Sequence, residues 1–209
     1  MSSAREEILR KLKNAVHPEP EKPDFDAPVY FPVGNNLEET FKENLEKVNG
    51  SVHLHHTEKE LFSALSDLLA DYKPEQIICN ETELTTQLIT FNVPFNSTQI
   101  LPDNIKVGIT SCEFLIAHIG SVMVSSAQQG GRQLFVYPEI HVVIANSDQL
   151  VDYLEAAYLG IKNKYGANLP SQVTLVTGPS RTADIEKTLV MGAHGPRELH
   201  VFLLQNRSA

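Results

Sequence analysis

The stretch from Val173 to Leu204 limits the possible folds of this chain more than any other. It runs Val-Thr-Leu-Val-Thr, then Gly178-Pro179-Ser180-Arg181-Thr182, then a mixed run to Met191. Gly192-Ala193-His194-Gly195-Pro196 follows, and the stretch ends in Leu-His-Val-Phe-Leu-Leu. Its first and last pieces are aliphatic, β-branched runs bounded by Gly and Pro, the pattern of buried strands. Ile185 and Leu189 stand four apart, which predicts a helix over 182–191 with Gly192 as its C-cap. Strand, helix and strand make a βαβ unit whose helix opens in a loop containing Gly178, Ser180, Arg181 and Thr182. Free N–H groups and a partial positive charge at a helix start suit a phosphate or carboxylate. The same loop also reads as a plain cap, with Ser180 or Thr182 accepting an N–H and Asp184 and Glu186 offsetting the dipole. It is neither a Walker A loop nor a dinucleotide fingerprint, lacking the Gly-Lys-Ser/Thr ending and the spaced glycines. A helix of that length spans roughly 15 Å. His194 and Gly195 are therefore expected at the sheet edge opposite Ser180, as a turn or subunit contact.

At 209 residues, with 42% hydrophobic and 21% charged content, the chain fits one domain and a short appendage. No apolar run reaches membrane-spanning length, and the first residues lack the apolar core of a signal peptide. The cytoplasm is the expected location. A net charge of −9 argues against a nucleic-acid backbone as partner. The two cysteines, Cys79 and Cys112, form no CxxC, whereas an iron–sulfur cluster takes four ligands. No cluster is therefore expected on this chain alone. Cys112 closes a predicted strand, a place for a nucleophile and equally for a small core residue.

Residues 1–16 read as a helical arm, with Ile8, Leu9, Leu12 and Val16 on one face. Residues 17–35 carry Pro18, Pro20, Pro23, Pro28 and Pro32, a density that sustains neither helix nor ladder and makes a linker or surface strap. Residues 36–209 read as a single α/β domain. Leu37 to Val48 predicts a helix, Ser51 to His55 a strand, and Thr57 with Glu60 caps a helix to about Tyr72. Gln76–Cys79, Thr98–Leu101, Val107–Thr110, Ser121–Val124, Leu134–Tyr137 and Ile140–Ala145 read as strands, Glu81–Thr90 as a helix. Ser147 is the expected cap of a helix carrying Leu150, Val151, Leu154, Tyr158 and Ile161. The alternation predicts a largely parallel sheet with helices on both faces and a hairpin-rich insertion over 121–145.

His53, His55 and His56 are the one histidine cluster, but no carboxylate at ligand spacing accompanies them, so an exposed edge-strand face is expected and no metal. In open α/β sheets ligands lie beyond the carboxyl ends of strands. Ser111 and Glu113 follow one predicted strand, Ser125 and Ser126 another, and Ser180 and Thr182 a third. If those strands are parallel neighbours, one cleft holds a carboxylate, hydroxyls, free amides, Arg132 and Arg181. Otherwise Gln128 to Gly131 is a hairpin tip and Arg132 a solvated side chain.

Gly178-Pro-Ser-Arg-Thr-Ala-Asp-Ile-Glu, followed by Gly192-Ala-His-Gly-Pro-Arg-Glu-Leu-His-Val, closely resembles the C-terminal signature of the lactate utilization protein C family, the LUD domain. A second signature corresponds to Ala117-His118-Ile119-Gly120-Ser121, Gly131-Arg132 and Pro138-Glu139-Ile140-His141. The resemblance implies a role in oxidising L-lactate to pyruvate with two iron–sulfur partner subunits. It also implies a fold like that of CoA transferases, sugar-phosphate isomerases and formyltetrahydrofolate cyclo-ligase. His118 stands where the signature usually has an acid, a role lost here or moved to Glu113. Glu113 and His118 are thus the catalytic candidates, and Ser111, Ser125, Arg132, Gly178, Ser180, Arg181 and Thr182 the candidates for a small anionic ligand. No membrane partner is expected, and residues 1–16 offer a route to a homo-oligomer. The alternative is a free-standing isomerase, transferase or ligase acting on a phosphorylated or CoA-linked substrate. A regulatory binding module is a third, plainer reading.

Overall fold

A computed structural model describes residues 3–15, 22–24, 30, 32–185, 188–192 and 194–205, with only the backbone over 182–185 and 188–191. Val16 and most of the proline-rich segment, Pro23 and Pro32 apart, lie outside those residues. The chain divides into two compact units, Met1–Pro32 and Val33–Ala209. The first holds helix α1 (Ala4–Lys13), opened by a reciprocal capping box between Ser3 and Glu6.

The second unit is built on a five-stranded, all-parallel sheet in the order β1-β11-β6-β3-β2. Its strands are β1 (Ser51–His55), β2 (Ile77–Ile78), β3 (Val107–Thr110), β6 (Ile140–Asn146) and β11 (Glu198–Leu204). Consecutive apolar residues fill the central strands β6 and β11, both of whose faces are covered, while the edge strand β1 alternates. On one face lie α3 (Glu58–Leu69) and α4 (Thr82–Thr90), whose Leu61, Leu65 and Leu69, four apart, pack with Phe62 and Leu88 onto Val107, Ile109, Val142 and Phe202. On the other face, Val143, Ala145, Val201 and Leu203 meet Phe41 and Leu45 of α2 (Leu37–Lys47) and Leu115, Val122 and Val124 of a second sheet. Phe41, Phe62 and Phe202 are fully buried, each stabilising the unit by roughly 1.5–3 kcal/mol.

The second sheet has the order β7-β4-β5-β8 and mixed directions. Its strands are β4 (Phe114–Ile116), β5 (Ser121–Ser125), β7 (Leu150–Val151) and β8 (Val173–Val176). Ile116 and Met123 on its far face pack on Ala157 and Ile161 of α6 (Leu154–Tyr165). The unit is therefore layered helices, sheet, sheet, helix. Among the described residues no helix is long and apolar enough to cross a membrane.

The predicted helix over 182–191 is not there. The backbone forms an antiparallel hairpin of β9 (Arg181–Ile185) and β10 (Thr188–Met191), with Thr182 opposite Val190 and Arg181 opposite Met191. Glu186 and Lys187 lie outside the described residues. Thr182, Ile185, Thr188 and Val190 are β-branched, and ten residues are too few to hold a helix by propensity. Nor do the flanking strands make a βαβ unit: β8 joins the second sheet, antiparallel to β5, while β11 is central in the first.

Three other elements differ from expectation. Leu134–Tyr137 is no strand: the single helical turn α5 (Gly131–Leu134) precedes a bend that buries Leu134 and Phe135. Thr98–Leu101 is held by the Asn80 side chain, bonded to the Thr98 carbonyl and N–H at 2.9 and 3.0 Å, instead of a ladder. The helix expected from Ser147 starts at Leu154, because Leu150 and Val151 pair with β4 first.

Candidate functional site

At the carboxyl ends of β2, β3, β6 and β11 lies a cavity of about 290 Å3. Glu81 and Ser111 line it, with Glu58, Glu83, Asp148 and Lys164 around its mouth. Beneath it runs a continuous chain of hydrogen bonds. Ser111 donates its N–H to Glu81 Oε1 at 2.9 Å and its hydroxyl to Oε2. The Gln128 amide donates to the Ser111 carbonyl at 2.8 Å and accepts the Ser125 N–H at 2.8 Å. Ser125 and Tyr165 hydroxyls then donate to Glu113 Oε1 at 2.5 and 2.6 Å, and Lys164 Nζ reaches Oε2 at 2.8 Å.

Two carboxyls in this network are pushed apart. Burial raises Glu81 above the usual carboxylate range, only partly opposed by its bonds from Ser111. Burial raises Glu113 too, but the donors Lys164, Ser125 and Tyr165 outweigh it and hold the group below that range. The neighbouring Cys112 is fully buried and its thiol pushed well up, and burial likewise takes Cys79 up to about 12. Neither presents the thiolate that nucleophiles and metal ligands need.

Of the expected site residues, this edge gathers Ser111, Glu113 and Ser125. Arg132 stays outside, donating to Ser171 Oγ at 2.5 Å on an exposed loop. His118 sits in the turn 117–119, past the far end of β4 from Glu113, its ring tilted 5.3 Å from that of Tyr153. The single cleft fails on strand direction. β5 and β8 are antiparallel, so Ser125 pairs with Val173 at one edge while Ser180 follows Val176 at the other. Arg181 is exposed at the start of β9, Thr182 is placed by backbone pairing alone, and no helix N-terminus exists there. Sequence reasoning missed Glu81, Lys164 and Tyr165, which reach the cluster from distant elements.

Gly178 and Ser180 belong to a second cavity, of about 210 Å3, at the amino ends of β6 and β11. His141, His194, Gly195 and Pro196 share it. His194 therefore does not lie across the sheet from Ser180 as expected. The hairpin returns the chain to its start, with Ser180 N–H donating to the Pro196 carbonyl at 2.8 Å and Gly192 N–H to the Ser180 carbonyl at 2.9 Å. A methyl group at Gly195 would stand 3.3 Å from Ser180 Cβ. Gly178 adopts φ +85°, and a Cβ there would meet the Val48 carbonyl oxygen at 2.5 Å, so only glycine fits. His141 is fully buried, its Nε2 lying 2.8 Å from Thr110 Oγ1. Its Nδ1 has no partner among the described residues, and burial lowers its pKa to about 3.

The histidine strand β1 does lie at a sheet edge, with His53 stacked 4.4 Å from Phe202 and 3.2 Å from His200 Nδ1. Among the described residues no group of three or more His, Cys, Asp or Glu is arranged to hold a metal.

Two stacked sheets between helices, with a cavity at each end of the parallel one, define a layered α/β protein. The LUD domain model matches residues 38–204, and the chain belongs to that family. It is 30% identical over 167 residues to lactate utilization protein C 1 of Bacillus mycoides, covering 78% of this chain and 70% of that one. Against lactate utilization protein C of Geobacillus thermodenitrificans it is 34% identical over 104 residues, 49% of this chain and 43% of that protein. The match thus spans less than half of the Geobacillus protein's own length. A crystal structure of a DUF162 family protein from Deinococcus radiodurans shares the fold, with a TM-score of 0.60 at 18% identity over 80% of this chain and 96% of that one.

Proposed function

We propose that this chain is the non-redox component of a cytoplasmic L-lactate utilization system, holding a small anionic metabolite while iron–sulfur partner subunits carry the electrons of lactate oxidation to pyruvate. The similarity to lactate utilization protein C 1 over 78% of the chain carries this reading. Cysteine chemistry supports the division of labour. A cluster takes four ligands, and the two thiols here are buried and pushed up in pKa. Deleting the gene in its source organism should abolish growth on L-lactate and spare growth on pyruvate. Undiminished growth on L-lactate would overturn the reading.

One observation favours a second reading, an isomerase, transferase or ligase. Neighbouring carboxyls whose environments drive one up and the other down, as with Glu81 and Glu113, are how acid and base roles are divided. A sugar phosphate or CoA ester that raises the melting temperature of the wild type, but not of Glu81→Gln, would support it. No shift with either compound class would remove it.

A further inference from the structure

We infer that Gln128 is a positioning residue for Glu81. Its amide compels the Ser111 hydroxyl to donate to Glu81, so that a proton held by Glu81 faces the carboxyl-edge cavity. What that proton does rests on the acid–base reading above. The positioning rests on the hydrogen-bond geometry.

Gln128 stands in the turn after β5, in the second sheet, and reaches Ser111 at the end of β3 in the parallel one. Its Nε2 donates to both the carbonyl and the hydroxyl oxygen of Ser111, at 2.8 and 3.1 Å. Its Oε1 accepts the Ser125 N–H at 2.8 Å. A flipped amide would set its oxygen against the Ser111 carbonyl and its NH2 against the Ser125 N–H. Only one orientation therefore satisfies these partners. Ser111 Oγ thus meets a donor on one side and has a single proton to give on the other. That proton goes to Glu81 Oε2, while the Ser111 N–H donates to Oε1 at 2.9 Å.

Both Glu81 oxygens are accordingly approached by donors. A neutral carboxyl carries one O–H, and with Ser111 held as a donor it has no acceptor among the described residues. Glu81 lines the cavity, which is the side left to its proton. Burial keeps that proton on Glu81 to a pH above the usual carboxylate range. The ligand group that meets it is a hydrogen-bond acceptor, such as a carbonyl or ester oxygen. The neighbouring glutamine holds the other flank: Gln129 Oε1 accepts the N–H of Thr82, the residue after Glu81, at 2.7 Å. One turn of the second sheet therefore grips Glu81 from two sides.

The test is carbon-13 NMR titration of the Glu81 carboxyl in the full chain, in the wild type, Gln128→Met and Gln128→Glu. The other charges around Glu81 are Glu83 on α4, Glu113, and Glu58, Asp148 and Lys164 about the cavity mouth, and both variants retain them. Methionine frees the Ser111 hydroxyl to accept from neutral Glu81, which should move the Glu81 midpoint up by about one pH unit. Glutamate draws the hydroxyl proton to itself and adds a negative charge, so the midpoint should rise further. In the unmodified protein the Gln128 side-chain amide resonances should move with the same midpoint as the Glu81 carboxyl. That readout holds whether or not either variant folds. A Glu81 midpoint unchanged in folded variants, or Gln128 resonances that do not follow it, overturns the positioning. Coupled titration in a protein that neither a sugar phosphate nor a CoA ester stabilises removes the acid role and keeps the positioning. Uncoupled titration, beside ligand stabilisation that Glu81→Gln abolishes, removes Gln128 and keeps the acid–base reading.

Discussion

Lys164 Nζ stands 2.8 Å from Glu113 Oε2, joining α6 to the loop before β4, with the lysine side chain 56% exposed and the carboxylate 1%. The asymmetry decides what each substitution does. Lys164→Met strips the charged donor from a buried carboxylate and should destabilise the protein by about 1–3 kcal/mol. Glu113→Gln, which cannot accept from all three donors, should cost a similar amount. Because the folded Glu113 lies below its unfolded value, its contribution is present above the unfolded pKa and lost as pH falls through the folded one. The gap between wild type and Glu113→Gln in urea unfolding should therefore close in acid. A Lys164→Met variant as stable as wild type at pH 7 would refute this account.

Histidine burial sets a second acid limit. His141 and His53 are lowered by desolvation, to about 3 and about 4, so the folded protein holds both rings neutral where the unfolded chain protonates them. Stability is full above their unfolded pKa of 6.5 and declines as pH falls from there. His53 stops contributing to the decline near pH 4, His141 near pH 3. The slope is up to about 1.4 kcal/mol per pH unit for each ring. His53→Phe should flatten the decline between pH 6.5 and 4, and an unchanged slope would show that His53 is not held neutral.

Two glycines separate backbone strain from collision. Gly131 has φ +66° and nothing within 4 Å of the place a methyl group would take, so Gly131→Ala should cost only the left-handed penalty of about 1–2 kcal/mol. At Gly178 the same penalty is joined by the 2.5 Å approach to Val48 O, which no rotamer relieves. Gly178→Ala should therefore lower the melting temperature clearly more than Gly131→Ala. Equal losses would mean that the backbone at Val48 yields freely.

The parallel sheet is legible in the sequence because β6 and β11 carry consecutive apolar residues, Val142 to Ala145 and Val201 to Leu204, the pattern of strands covered on both faces. Ser111, Glu113 and Ser125 are legible because each stands at or just past the end of a strand. Glu81, Lys164 and Tyr165 are not, since they meet Ser111 and Glu113 only through the sheet order and the seating of α6. His141 stands in a recognised Pro-x-x-His segment, and its one signal is a lone histidine inside a strand of aliphatic residues. Residues 182–191 mislead because so short a segment satisfies both periods. Ile185 and Leu189 lie four apart, while the β-branched positions fit an extended chain.

That ambiguity gives the last prediction, because the two conformations put opposite signs on one substitution. In a helix, Thr188→Ala replaces a poor helix former by the best one and stabilises by a few tenths of a kcal/mol. In the hairpin, where Thr188 pairs with Ile185, the same change removes a β-branched residue from a strand and destabilises by up to about 1 kcal/mol. Chemical denaturation of Thr188→Ala reads the sign. Carbon-13 secondary shifts read the conformation directly: Arg181–Ile185 and Thr188–Met191 should both show the extended pattern, with cross-strand proton contacts joining Thr182 to Val190. Helical shifts over these residues together with stabilisation by alanine would overturn the hairpin. Losing the hairpin would also release the Gly192 N–H from the Ser180 carbonyl, the bond that brings His194 back beside Ser180.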